Sequence, residues 1–250
     1  MEGLLKNSEG LDGAGYETKH GCRTRTCSVS LCQQVKIAPT SSIRKFWQRL
    51  DDCVHPDDLL VLNSHQHTFN LDFPPPAFIG DVDNAPIVIL MANGGYDPVR
   101  TPTEFLDEAD RLAYLRWLRG ESAQIPDRLS PYYTEQAVFA WIRKGIAVMV
   151  NAVAYRSPSF TSEPQNGRLA KLLPSLRMHK QWLRGEVLPA VASGRRLVIA
   201  HRSALWDFPA REGMHLPNVY HSTCPASPYL SKETVNHVKS WLQRNDYSEV

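Results

Sequence analysis

The chain has 250 residues, a hydrophobic fraction of 42% and a formal net charge of +2, which suits one large α/β domain with a tail. No apolar run approaches the ~18 residues of a membrane span, and no apolar core follows the first charges, so a soluble, cytoplasmic protein without membrane partners is expected. The small net charge neither announces nor excludes nucleic acid as a partner.

Residues 1–39 combine glycines with serine and threonine and show little apolar periodicity, so a loosely ordered extension is expected ahead of a single domain over 40–250. The extension carries Cys22, Cys27 and Cys32; Cys53 and Cys224 lie further on. Five cysteines are an odd number and form no Cys-x-x-Cys pair, so reduced thiols are expected rather than a disulfide framework, a metal or another cofactor. His65-Gln66-His67 lacks a nearby third ligand and is a weak metal signal.

From Thr40 the pattern changes. Ile43, Phe46, Trp47 and Leu50 fall at helical spacing behind a Thr40-Ser41-Ser42 cap and predict an amphipathic helix docked on the domain. Pro74-Pro75-Pro76 forces an extended approach to Phe78-Ile79-Gly80-Asp81, read as a surface turn leading into the opening strand. That strand, Pro86 to Ala92, is short, rich in β-branched residues and free of polar alternation, as befits a central parallel strand covered on both faces. It ends in Asn93-Gly94-Gly95-Tyr96-Asp97, and open sheets of this kind bind ligands at the carboxyl ends of their strands.

A helix is predicted from Pro102 to Gly120, with Phe105, Leu106, Ala109, Leu112, Leu115 and Leu118 on its inner face. A second runs from Thr134 to Lys144 and stops at Gly145. Ile146 to Val150 reads as a buried strand ending in Asn151, Tyr155, Arg156 and Ser157. A helix over Ser175 to Ser193, a strand over Leu197 to Ala200 and a polar end at His201, Arg202 and Ser203 follow. Asn218 to His221 is a fourth strand, Cys224 to Leu230 a proline-rich loop, and Ser231 caps a closing helix that ends at Arg244. The alternation predicts a three-layer αβα domain around a mostly parallel four-stranded sheet, with four strand ends converging on one cleft.

Two loops on that cleft resemble the uracil-DNA glycosylase superfamily. Asn93-Gly94-Gly95 after the opening strand is similar to the first family motif, Asn-Pro-Gly or a variant, and Tyr96-Asp97 fits less characterised bacterial members in which an aromatic residue and an Asp follow the glycine. Cys224-Pro225-Ala226-Ser227-Pro228-Tyr229-Leu230 is similar to the second motif, His-Pro-Ser-Pro-Leu, ahead of the last helix. The resemblance covers residues 74–244 and departs from the pattern twice: Gly94 replaces a proline, and the motif-two histidine is missing unless His201 or His221 supplies it.

The resemblance implies a monofunctional DNA glycosylase that hydrolyses the N-glycosidic bond of a flipped damaged or modified base, uracil-type or a modified pyrimidine, with hypermodified phage bases among the candidates. It implies DNA, duplex or single-stranded, as partner, and a monomer is expected. Asn93 would orient a water and Asp97 bring a carboxylate, while His201 or His221 supports the leaving base. Gly94, Gly95, Tyr96 and Asn151 would form the base pocket, and Arg156, Ser157, Ser227, Pro228, Tyr229 and Leu230 would meet DNA. Each residue also has a plain structural reading: turn or helix capping for Asn93 and Asp97, packing for Tyr96 and Leu230, turn formation for Asn151, an ion pair for Arg156 and a satisfied core role for each histidine. A catalytically inactive DNA-binding module on the same fold and a nucleoside or nucleotide N-glycosidase are the competing functions.

Overall fold

The computed structural model describes residues 40–207 and 216–247; the expected extension over 1–39, with Cys22, Cys27 and Cys32, lies outside them. Its strands are β1 (Phe78–Gly80), β2 (Ile87–Gly95), β3 (Ala147–Ser157), β4 (Leu197–Ala200) and β5 (Val219–His221). They form one mixed sheet in the order β1-β3-β2-β4-β5. β2 lies parallel to β3 and β4, and β4 parallel to β5, whereas β1 runs antiparallel along β3. The α/β class expected from the alternation is present, but the sheet has five strands rather than four. Phe78-Ile79-Gly80 is not a surface turn: it pairs with Val150, Met149 and Val148 and is buried throughout.

Successive residues of β3 and β4, and of β2 from Ile87 to Met91, are all buried, so the sheet is covered on both faces. β3 is much longer than Ile146 to Val150. It continues through Asn151 to Ser157, because Ala152, Val153 and Ala154 are small or β-branched residues that fit between packed layers. Its pairing with β2 slips after Asn93↔Val153, resuming at Gly95↔Ser157, a bulge that re-aims the ends of both strands.

The helices are α1 (Ser42–Trp47), α2 (Pro56–Asn63), α3 (Glu108–Arg119), α4 (Pro131–Thr134), α5 (Phe139–Arg143), α6 (Pro164–Ala170), α7 (Pro174–Trp182), α8 (Leu188–Ala192) and α9 (Lys232–Arg244). Ser41 caps α1, and Ile43, Phe46, Trp47 and Leu50 are buried as its periodicity requires. Arg44 ties α1 to the domain through Asp83 at 3.0 Å and the Trp117 carbonyl at 3.0 Å. α9 is capped by Ser231 and buries Val235, Val238, Trp241 and Leu242.

The helix predicted from Pro102 is split. A short 3-10 turn occupies Thr101–Glu104, and α3 starts only behind the Asp107 cap, since Phe105 takes a non-helical backbone at φ −136°, ψ 68°. Its inner face is Tyr114, Leu115, Trp117 and Leu118; Leu106 and Leu112 are exposed, so the two aromatic residues, not those leucines, set the packing. Gly120 ends α3 at φ 79°, a left-handed backbone open to glycine. The helix expected over Ser175 to Ser193 is α7 and α8 joined by a π-helical stretch, Leu183–Val187, and that over Thr134 to Lys144 shrinks to α5, since α4 ends at Thr134. No helix among the described residues is long and apolar enough to cross a membrane.

Candidate active site at the strand ends

β2 passes to β3 on one side of it, while β4, on its other side, passes on to β5, so the chain reverses direction across the sheet between β2 and β4. That is the topological switch point where open α/β sheets bind ligands, at the carboxyl ends of the strands. A cavity of about 880 Å³ lies there, lined by Ala92 from β2, His201 to Ser203 after β4, and His221 and Thr223 after β5, with Phe160 and Glu163 opposite. A second cavity, about 620 Å³, involves Arg44, Asp83 and Lys144 and sits at the opposite, amino-terminal end of β3.

Asn93 lies near the carboxyl end of β2, one residue past Ala92 on the cavity wall, but its side chain turns into the protein. Its Nδ2 donates to the Gly94 carbonyl at 2.9 Å and to Ser157 Oγ at 3.0 Å. Two donated bonds identify the nitrogen end of the amide and leave Oδ1 as the acceptor. Gly94 packs so closely that a Cβ would come within 2.3 Å of Pro76 Cγ. Any side chain at position 94 would collide with Pro76. A Cβ on Gly95 would meet nothing within 4 Å, so the space there is open.

Tyr96 is half-buried; its N–H donates to the Ser157 carbonyl at 3.0 Å and its ring lies 6.5 Å from Phe73. Asp97 is exposed and accepts the N–H groups of Val99 and Arg100 at 2.8 and 2.9 Å, bonds that hold its carboxyl below the usual range. Asp97 is thus engaged as a turn cap.

Three expected contact residues are internal. Asn151 is not at a strand end but within β3, fully buried; Nδ2 donates to the Pro76 carbonyl and, at 3.0 Å, to the Tyr133 hydroxyl, while Oδ1 has no partner. Arg156 does not face solvent: it donates to both Glu104 oxygens at 3.0 and 2.9 Å in a buried, bidentate pair. Burial disfavours the Arg156 cation, and the Glu104 carboxylate is the first of several groups that together outweigh it, so the guanidinium stays charged. Ser157 is buried as the acceptor of Asn93.

The second loop is fastened from two sides. His201 Nε2 donates to the Ser227 carbonyl at 2.9 Å; its Nδ1 therefore accepts from the Ser222 hydroxyl, also at 2.9 Å. Burial lowers the pKa of this imidazole, opposed by the bond to Ser227, and it stays neutral. From the other side Gln136 Nε2 donates to the Pro228 carbonyl at 2.9 Å and Gln136 Oε1 accepts from the Leu230 N–H at 3.4 Å. Leu230 is buried in the core, whereas Tyr229 is exposed and donates to Glu135 at 2.9 Å. His221 lines the cavity.

The predicted residues thus form two groups. Asn93, Gly94, Asn151 and Ser157 cluster where β2 meets β3, and His201, His221 and the 224–230 loop surround the cavity. Gln136, Tyr133 and Arg202 connect or complete them, and no motif in the sequence marked these three. Tyr133 lies in the four-residue α4 and Gln136 just past its end, where no apolar periodicity runs, and Arg202 follows the strand end without a counterpart in either motif.

Among the described residues no group of three His, Cys, Asp or Glu side chains can hold a metal. Cys53 is a buried free thiol pushed up to about 12 by burial, and Cys224 is free and exposed. Comparison with known proteins gives no match: no family model, curated protein or solved structure matches the chain.

Proposed function

We propose that the protein is a DNA glycosylase, hydrolysing the bond between a flipped, damaged or modified base and its sugar. In this reading the parallel strands β3-β2-β4-β5 are the core of a uracil-DNA glycosylase-like fold and β1 is an addition at its edge. The observation that carries the reading is the placement of the two motif loops. Ala92, the residue before Asn93, and Pro225 and Ala226 of the 224–230 loop line the same switch-point cavity, the loop fastened by His201 and Gln136.

Breaking an N-glycosidic bond builds positive charge on the sugar and negative charge on the base, and both need pre-placed partners. Asn93 Oδ1, fixed by the two bonds its nitrogen donates, accepts from the attacking water; a neutral amide orients the water without removing its proton. The open face at Gly95 admits the sugar-phosphate backbone. Tyr96, half-buried, offers a ring face to the flipped base. A cavity of about 880 Å³ has room for a base carrying a substituent. Tyr229, exposed at the loop tip, is placed to enter the gap left in the stack. DNA is the partner and the protein acts as a monomer in the cytoplasm.

The test is incubation with duplexes bearing uracil, hydroxymethyluracil, hypoxanthine or bulky modified cytosines, followed by alkaline cleavage of abasic sites. Strand breaks at one of these bases are expected; none at any would refute the proposal. A second reading, a DNA-binding module without catalysis, draws on the engagement of Asp97 as a cap, which leaves an amide and no carboxylate at the water position. Tight DNA binding without base release, unchanged by Asn93→Ala, would favour it. Release from free nucleosides, uncompeted by DNA, would point to a nucleoside N-glycosidase instead.

A further inference from the structure

We infer that Arg202 stabilises the departing base anion, filling the place of the histidine that the 224–230 loop lacks; the inference rests on the glycosylase reading above. Arg202 is the one permanently cationic side chain among the described residues lining the cavity. Its backbone N–H donates to the Leu90 carbonyl at 3.0 Å, which fixes it on the seam between β2 and β4, at the switch point itself. It forms no ion pair with a carboxylate of the described residues, in contrast to the buried Arg156.

The Arg202 guanidinium lies beside the buried Tyr132 hydroxyl, a neutral contact that leaves its charge uncompensated. Of the two histidines on the cavity, His201 fits less well. His201 has both ring nitrogens committed, one to the Ser227 carbonyl and one to the Ser222 hydroxyl, so it has no N–H to offer a base. His221 lines the same cavity and is the rival for the role.

The step balances without a cofactor. The bond between C1′ and the base nitrogen breaks with its electron pair going to the base, and water adds its oxygen to C1′ and releases one proton. The base leaves as an anion that takes up a proton from solvent. Arg202 stays protonated throughout and contributes by charge and hydrogen bonding alone, as preorganised donors do.

The experiment compares single-turnover release of uracil and 5-fluorouracil from otherwise identical duplexes by the wild type and by Arg202→Met, Arg202→Lys and His221→Gln. The fluorinated base is the more acidic and needs less help to leave. Arg202→Met is expected to lose about 100-fold on uracil, the scale of removing one such donor, and much less on 5-fluorouracil. Arg202→Lys should recover part of the loss on uracil, and thermal unfolding should match the wild type. Equal loss on both bases, no loss, or a steepened dependence in His221→Gln rather than Arg202→Met would overturn the inference alone. So would a wild type that releases neither of these bases but releases another. A wild type that releases no base from any duplex overturns the glycosylase reading, and the inference with it.

Discussion

The buried pair between Arg156 and Glu104 holds the segment leaving β2 against the end of β3, and removing one partner should be costly. Glu104 ends the 3-10 turn that follows Asp97, and Arg156 lies in the last residues of β3; their side chains are 2% and 1% exposed. Glu104→Gln leaves the guanidinium charged and desolvated, with one amide oxygen where two carboxylate oxygens stood at 3.0 and 2.9 Å. Breaking a buried pair from one side costs about 3–5 kcal/mol. For a domain of this size that is a fall in melting temperature on the order of 10 °C. Urea unfolding followed by tryptophan fluorescence measures it. The double variant Glu104→Leu, Arg156→Met should recover most of the loss, because no charge is then left unpaired. A single-variant cost below about 1 kcal/mol, or a double variant equal to the sum of the singles, would refute this account of the pair.

Other consequences can be checked separately. Gly94→Ala pushes a methyl into Pro76 and should cost about 1–3 kcal/mol by denaturant unfolding, whereas Gly95→Ala, with open space around it, should leave stability within about 1 kcal/mol of the wild type. His179 is fully buried, accepting from Trp47 Nε1 at 2.8 Å and donating to the Asn151 carbonyl at 2.8 Å, and burial lowers its pKa from 6.5 to about 4. The unfolded chain therefore binds more protons than the folded one between about 4 and 6.5. Stability present above 6.5 is lost as pH falls through that window, by up to about 3 kcal/mol. Unfolding measured against pH should be flatter across that window in His179→Gln than in the wild type. Gln136→Leu removes both bonds to the 224–230 loop, and hydrogen exchange at Leu230 should rise at least several-fold while exchange in β2 stays unchanged.

What the sequence showed of the fold follows from where its signals are local. Capping residues and apolar spacing around Ser41 and Ser231 identified the helices they begin, and unbroken apolar runs identified β2 and β4. β3 was cut short because Asn151, Arg156 and Ser157 look like loop residues, and only tertiary partners such as Tyr133, Glu104 and Asn93 explain how they are buried in a strand. β1 was hidden because three residues ending in a glycine carry no strand pattern of their own; its pairing with Val148 to Val150 makes it one. In the candidate site, Asn93–Gly95 and the 224–230 loop stand out in the sequence as glycine- and proline-rich segments, although Asn93–Gly95 continues β2 rather than turning. The bonds of His201, the clamp of Gln136 and the position of Arg202 depend on residues far apart in sequence, and no spacing rule reports them.

The central claim concerns base release, and it is tested most directly by mass spectrometry of the free bases from a mixture of differently modified duplexes, with wild type and Asn93→Ala side by side. The wild type is expected to release one class of base, with abasic sites in equal amount. Asn93→Ala, which loses the water-orienting oxygen, should do so about 100-fold more slowly. Intact DNA with no free base from the wild type, or equal release by Asn93→Ala, would contradict the claim.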